Sequence, residues 1–129
     1  MRRRSLALFA LLCSACGKGT PSVTSVVCSE TRVPALALQV QDAQTLAFAG
    51  AGAVAIATSG TYADTAQLAT TAPDSTSMLL AYNRTGVFSV TVRKQGYRAW
   101  TQDSVTVKPV QGCALPATVH LNAMLQTTF

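Results

Sequence analysis

Between residues 88 and 93 apolar and polar side chains alternate without a break, Phe88, Val90 and Val92 against Ser89, Thr91 and Arg93. A period of two is the pattern of a strand with one buried and one solvated face, and no helix satisfies it. Turn-forming segments flank it, Asn83-Arg84-Thr85-Gly86 before and Lys94-Gln95-Gly96 after. Weaker copies of the pattern recur along the chain. Leu36, Leu38 and Val40 alternate with Ala37, Gln39 and Gln41, and Val54 and Ile56 mark a second strand after Gly50-Ala51-Gly52. Met78 to Tyr82 follows a polar loop, Thr70 to Ser77. Tyr97, Ala99, Val105 and Val107 share one parity and Arg98, Gln102 and Thr106 the other. Val119, Leu121 and Leu125 alternate with Thr118, His120 and Asn122. The Ala-rich run 47–57 lacks charge and contains glycines, which argues against a helix there. Six or seven short strands with almost no helical periodicity predict an antiparallel β-sandwich.

With 129 residues there is room for one core, and aromatics are only 6% of the chain, so that core must come from Ala, Val, Leu and Ile. The chain begins with a targeting signal. Arg2, Arg3 and Arg4 precede an apolar run, Ser5 to Leu12, which ends in the small residues Cys13-Ser14-Ala15-Cys16. That run is far short of the roughly 20 residues needed to span a bilayer. Removing residues 1–15 takes three of the 10 Lys+Arg away and leaves the 5 acids, so the net charge falls from +5 to 7 − 5 = +2. The remaining cations, among them Arg93, Lys94, Arg98 and Lys108 with Asp103 between, are too sparse for a groove that tracks phosphates, and no nucleic acid partner is expected.

Leu12-Cys13-Ser14-Ala15-Cys16-Gly17 resembles the lipobox of bacterial lipoproteins, in which the last cysteine takes the lipid. Cys13 stands where that motif usually has Leu, with Leu12 one place upstream. The resemblance implies lipid attachment at Cys16 and an envelope protein held to the membrane through it. Gly17 after the modified cysteine, in place of Asp, implies the outer membrane and a periplasm-facing domain under enteric sorting rules. Ordinary cleavage after Ala15, releasing a soluble periplasmic or secreted protein, is the alternative.

With Cys13 removed and Cys16 acylated, Cys28 and Cys113 remain as a pair in an oxidising compartment, which predicts one disulfide. Zinc competes for the same thiols, but it needs close-set ligands and His120 is the only other soft donor. The predicted organisation is a signal peptide over 1–15, a tether over 16–27 and one domain over 28–129.

Residues 85–100, Thr-Gly-Val-Phe-Ser-Val-Thr-Val-Arg-Lys-Gln-Gly-Tyr-Arg-Ala-Trp, resemble the Gly-x-Phe/Tyr-x-Val-x-Val-x-x-x-Gly-Tyr signature of carboxypeptidase regulatory-like domains. Those are transthyretin-like seven-stranded sandwiches, and 36–45 and 53–57 are similar to the family's first hairpin. Where the family has Thr-Gly followed by Pro, this chain has Thr45-Leu46 and Phe48. The signature specifies a hairpin and no reaction.

Few side chains could do chemistry. One His and five carboxylates do not furnish the constellations that most enzymes need, there is no Gly-x-Ser-x-Gly elbow, and His120 falls on a polar parity. Transthyretin-related hydrolases use several His and Arg residues and a C-terminal tail that this sequence lacks. No metal and no cofactor is expected. Trp100 shares the polar parity of Arg98 and Gln102, so it is either an exposed ligand contact or is turned into the core by a β-bulge, the latter being favoured. Asn83-Arg84-Thr85 fits a glycosylation pattern but reads as a turn. The expected function is a non-catalytic, lipid-anchored lipoprotein with a structural or interaction role toward an envelope protein or glycan. The alternative is a carbohydrate- or peptide-binding module at the same place.

Overall fold

The computed structural model describes Cys28 and residues 32–129; the signal peptide expected over 1–15, Cys16 and the tether expected over 16–27 lie outside the described residues. Seven strands form the domain: β1 (Pro34–Asp42), β2 (Val54–Ser59), β3 (Tyr62–Gln67), β4 (Met78–Tyr82), β5 (Gly86–Arg93), β6 (Trp100–Val107) and β7 (Val119–Leu125). They make two sheets, β4-β1-β7 and β3-β2-β5-β6, packed face to face as a β-sandwich.

The alternating strands bury the faces their sequences predict. Phe88, Val90 and Val92 of β5 and Leu36, Leu38 and Val40 of β1 are all at most 1% exposed. Leu121, Ala123 and Leu125 of β7 and Met78 and Leu80 of β4 close the same core, against which the Tyr62 ring packs edge-on to Phe88. Among the described residues no polar or charged residue is buried and no buried side-chain polar atom lacks a partner, so the core is held by apolar contact.

Four features depart from the sequence reading. First, the sandwich is not wholly antiparallel: β1 and β7 pair in parallel, Leu36 opposite Val119 through Asp42 opposite Leu125. Alternation reports which face is buried and carries no strand direction. Second, β3 lacks a period-two signal in its sequence, YADTAQ, because it is an edge strand beside β2 whose inward positions are Tyr62, Asp64 and Ala66. Third, β2 turns its alanines inward, Ala55 and Ala57 being fully buried while Val54 and Ile56 lie on the outer face. The small side chains sit opposite the large Val90 and Val92 of β5, so volume and not hydrophobicity decides the facing. Fourth, β6 starts at Trp100 and not at Tyr97, which joins the sheets only through a single bridge to Thr127.

Parallel pairing of β1 and β7 sets the ends of the molecule. Both strands start at one end, where Cys28 and Cys113 form a disulfide with Cα atoms 5.9 Å apart. This is the disulfide end, with the turns at 60–61 and 83–85 and the loop 108–118. The other end, roughly 27 Å away along β1 at about 3.3 Å per residue, collects the segments 43–53, 68–77, 94–99 and 126–129. There Gly50 is required by close approach, because a Cβ would lie 2.7 Å from the Asp74 carbonyl oxygen, which accepts the Gly50 N–H.

Candidate functional site

The far end is organised by Asp42, the last residue of β1. One carboxylate oxygen accepts the Gln44 and Thr45 amides at 2.8 and 3.0 Å, closing an Asx turn, and the other accepts the Tyr97 hydroxyl at 2.9 Å. The Thr45 and Gln44 amides, and after them the Tyr97 hydroxyl, hold the Asp42 carboxyl below its ordinary range. The same bond to Asp42, with partial desolvation, raises the Tyr97 phenol above 10. Tyr97 thereby pins the β5–β6 turn, in which Gly96 has φ +86°, to the end of the opposite sheet.

The segment after β7 zips onto that turn. Gln126 O accepts the Arg98 amide at 2.8 Å and Gly96 O accepts the Thr128 amide at 3.1 Å. Arg98 is left exposed between two clefts. One, of about 340 Å³, is lined by Asp42, Ala43, Gln44, Arg98, Gln126 and Thr127. The other, of about 230 Å³, is lined by Arg98, Ala99, Trp100, Thr101, Met124 and Gln126. Sharing Arg98 and Gln126, the two form a shallow surface offering a guanidinium, amides and one indole edge. That chemistry suits reversible contact with a polar ligand and contains no nucleophile–base pair.

Trp100 reaches this surface through a bulge. Phe88 pairs with Val105 but Val90 pairs with Gln102, so Asp103 and Ser104 of β6 oppose the single Ser89 of β5, and Ser104 takes φ +57°. The extra residue reverses the parity of β6, placing Trp100 opposite buried Val92 on the inner side. The ring is half-buried and packs on the core at its edge. It is therefore not the exposed platform that its parity alone would give, although it still lines the smaller cleft.

His120 is exposed on the outer face of β7, opposite Ala37 of β1. The four described aspartates are each engaged in local structure. Besides Asp42, Asp64 accepts the Thr65 and Ala81 amides, Asp74 the Ala51 amide, and Asp103 the Ser89 hydroxyl. Asn83 exchanges bonds with Val33, its side-chain oxygen accepting the Val33 amide at 2.9 Å, in keeping with a turn residue. Among the described residues no three His, Cys, Asp or Glu are grouped to hold a metal ion, and no helix is long and apolar enough to cross a membrane.

Gln44, Gln126 and Thr127 carry no sequence signal as a site. They come from segments more than 80 residues apart, brought together by the parallel β1–β7 pair and by the 94–99 turn that bonds to both. No protein-family model, curated protein or solved structure matches the chain.

Proposed function

We propose that this chain is an exported, lipid-anchored envelope protein, attached through Cys16 and acting by contact and not by catalysis, with a domain of the carboxypeptidase regulatory-like kind. The observation that carries this reading is the Cys28–Cys113 disulfide. A bond of this kind persists in an oxidising compartment, where the N-terminal charged and apolar segments would deliver the chain. It also uses the two cysteines not claimed by the signal peptide and the lipid. Because Cys28 lies at the disulfide end, the tether leaves from there, and the Arg98–Trp100 surface is held at the end remote from the membrane. Gly17 after Cys16, in place of Asp, favours periplasm-facing attachment to the outer membrane.

Replacing the acceptor thiol tests the anchor. Cys16→Ser should abolish labelling by a fatty-acid analogue and move the protein out of the detergent phase or leave it as uncleaved precursor; labelling and partitioning equal to wild type would reject the reading.

The Arg98–Trp100 clefts favour a second, compatible reading, a carbohydrate- or peptide-binding module. Indole and guanidinium groups are enriched among the anchors of binding interfaces. Titrating envelope glycans or peptides against the fluorescence of Trp100, the only tryptophan in the chain, should give a saturable change that Arg98→Ala weakens about tenfold or more. A flat titration would leave the anchor reading alone standing.

A further inference from the structure

We infer that the disulfide end of the sandwich is a seat for an anionic phospholipid surface, which orients the domain on the membrane that holds its anchor. The inference rests on the anchored reading above, but its evidence is separate and lies in how charge is distributed between the two ends.

The far end is mixed in sign, with Asp42 and Asp74 among Arg93, Lys94 and Arg98, and Lys94 is already committed to the Ala49 carbonyl at 2.7 Å. The disulfide end is not mixed. Its loops carry exposed Arg32, Arg84 and Lys108, and no carboxylate among the described residues. Glu30 lies outside the described residues, and in sequence the segments 28–34, 83–85 and 108–118 hold three cations to that one acid. Asp64, the nearest strand carboxylate, is turned inward onto the Ala81 amide.

Two of these cations are held in place with no carboxylate partner among the described residues. The Arg84 guanidinium lies 3.7 Å from the centre of the Tyr62 ring, and that of Arg32 lies 3.9 Å from the centre of Tyr82. Stacking on a ring occupies the flat face of a guanidinium and leaves its N–H edge available, so phosphate can be met with little further loss of side-chain freedom. Lys108 opens a loop closed by Val110 N–H to Leu115 O, by Ala117 N–H to Lys108 O, and by the disulfide at Cys113. Near the tip of that loop Val110 is 41% exposed, so the end that carries the three cations also presents an apolar side chain. Cations spread over one end, with an exposed apolar side chain among its loops, match the layering of a bilayer surface, phosphates outside and acyl chains beneath.

The tether makes the contact reachable. Residues 16–27 span at most on the order of 40 Å when fully extended, at about 3.3–3.6 Å per residue. The disulfide end therefore stays close to the bilayer that holds Cys16, and weak attraction at three cations acts at high local concentration.

The single tryptophan provides the test. Lipidated protein is reconstituted into brominated phosphatidylcholine vesicles with and without phosphatidylglycerol, and the lipid on Cys16 is verified by intact mass. In the wild type, Trp100 at the far end should show little quenching in either vesicle. In the Val110→Trp, Trp100→Phe double variant the indole sits at the disulfide end and should be quenched strongly in phosphatidylglycerol vesicles only. Adding Arg84→Glu and Lys108→Glu should abolish that quenching, with each lost cation weakening the seating about fivefold, and so should 1 M salt, where the Debye length falls to about 3 Å. Hydrogen exchange on the unsubstituted protein covers the case of a variant that folds poorly: residues 83–85 and 108–113 should gain protection on anionic vesicles, and 94–99 should not.

Quenching that is equal in neutral and anionic vesicles, or that survives charge reversal, would overturn the inference, as would quenching of Trp100 in the wild type. Should Cys16 prove unmodified, the same vesicles are mixed with the free protein. Sedimentation with anionic vesicles alone would then sink the anchor and keep the seat; sedimentation with neither would sink both.

Discussion

Asp64 of the edge strand β3 reaches across the sandwich and accepts the backbone N–H of Ala81 in β4 at 2.8 Å. The two residues belong to different sheets, and Ala81, with φ +56° and no exposure, has left the regular β conformation to point its amide outward from the strand. An inward charge on an edge strand also discourages pairing with a second chain. Asp64 therefore closes the β3–β4 side of the molecule, where the two sheets have no strand in common.

Removing this acceptor is predicted to leave the Ala81 amide unpaired in an apolar setting. Asp64→Ala should lower stability by about 1–3 kcal/mol, whereas Asp64→Asn, which keeps a side-chain oxygen, should lose less. Urea unfolding of the two variants checks this, and equal losses would show that the bond contributes little.

On β5 the two faces are predicted to respond oppositely to the same substitution. Val90 is fully buried, so Val90→Asp places an unpaired carboxylate in the core and should prevent folding. Thr91 lies on the outer face, its hydroxyl 3.2 Å from that of Thr101, and Thr91→Asp should change stability by less than about 1 kcal/mol. Thermal melts decide the matter, and greater damage from Thr91→Asp would refute the register.

The clasp between Asp42 and Tyr97 predicts a pH dependence with two limbs. A carboxyl whose folded pKa lies below its unfolded value adds stability above pH 4, and this is lost as pH falls through the depressed folded value. A phenol whose folded pKa is raised adds stability below pH 10, lost as pH rises through the folded value. Tyr97→Phe should remove the alkaline limb and keep most of the acid limb, because the Thr45 and Gln44 amides still hold Asp42. Asp42→Asn should flatten both. Unfolding midpoints measured from pH 2 to 11 would show it, and an acid limb unchanged in Asp42→Asn would place its source elsewhere.

The cross-link at the disulfide end is predicted to act chiefly on the unfolded chain. Joining residues 85 apart in sequence restricts that ensemble by roughly 4.5 kcal/mol in the chain-entropy model. A Cys28→Ser, Cys113→Ser double variant should melt more than about 10 °C lower while keeping the wild-type circular dichroism below its transition. An unchanged melting temperature would mean that the bond does not form in the cell.

Much of this molecule can be read along the chain, and the reason is local. Strand faces follow from alternation because a strand sends neighbouring side chains to opposite sides, so Phe88, Val90 and Val92 declare their burial without reference to any other segment. Turns follow from Gly and Asn for the same reason, and the Cys28–Cys113 pair follows from counting thiols. Three further features depend on residues that meet only in the folded state. The direction of β7 beside β1 depends on a crossover through the whole domain, which no local pattern encodes. The inward choice of Ala55 and Ala57 over Val54 and Ile56 was settled by the volume that Val90 and Val92 leave between the sheets. One extra residue at Asp103–Ser104 then reversed the side that Trp100 faces, because a strand has only two sides and a single insertion exchanges them. Sequence by itself thus determined that this chain is a disulfide-closed stack of strands; tertiary packing decided which strands are neighbours, which end carries Arg98 and Trp100, and which end carries Arg32, Arg84 and Lys108, since neighbourhood and end are properties of the assembled sheets alone.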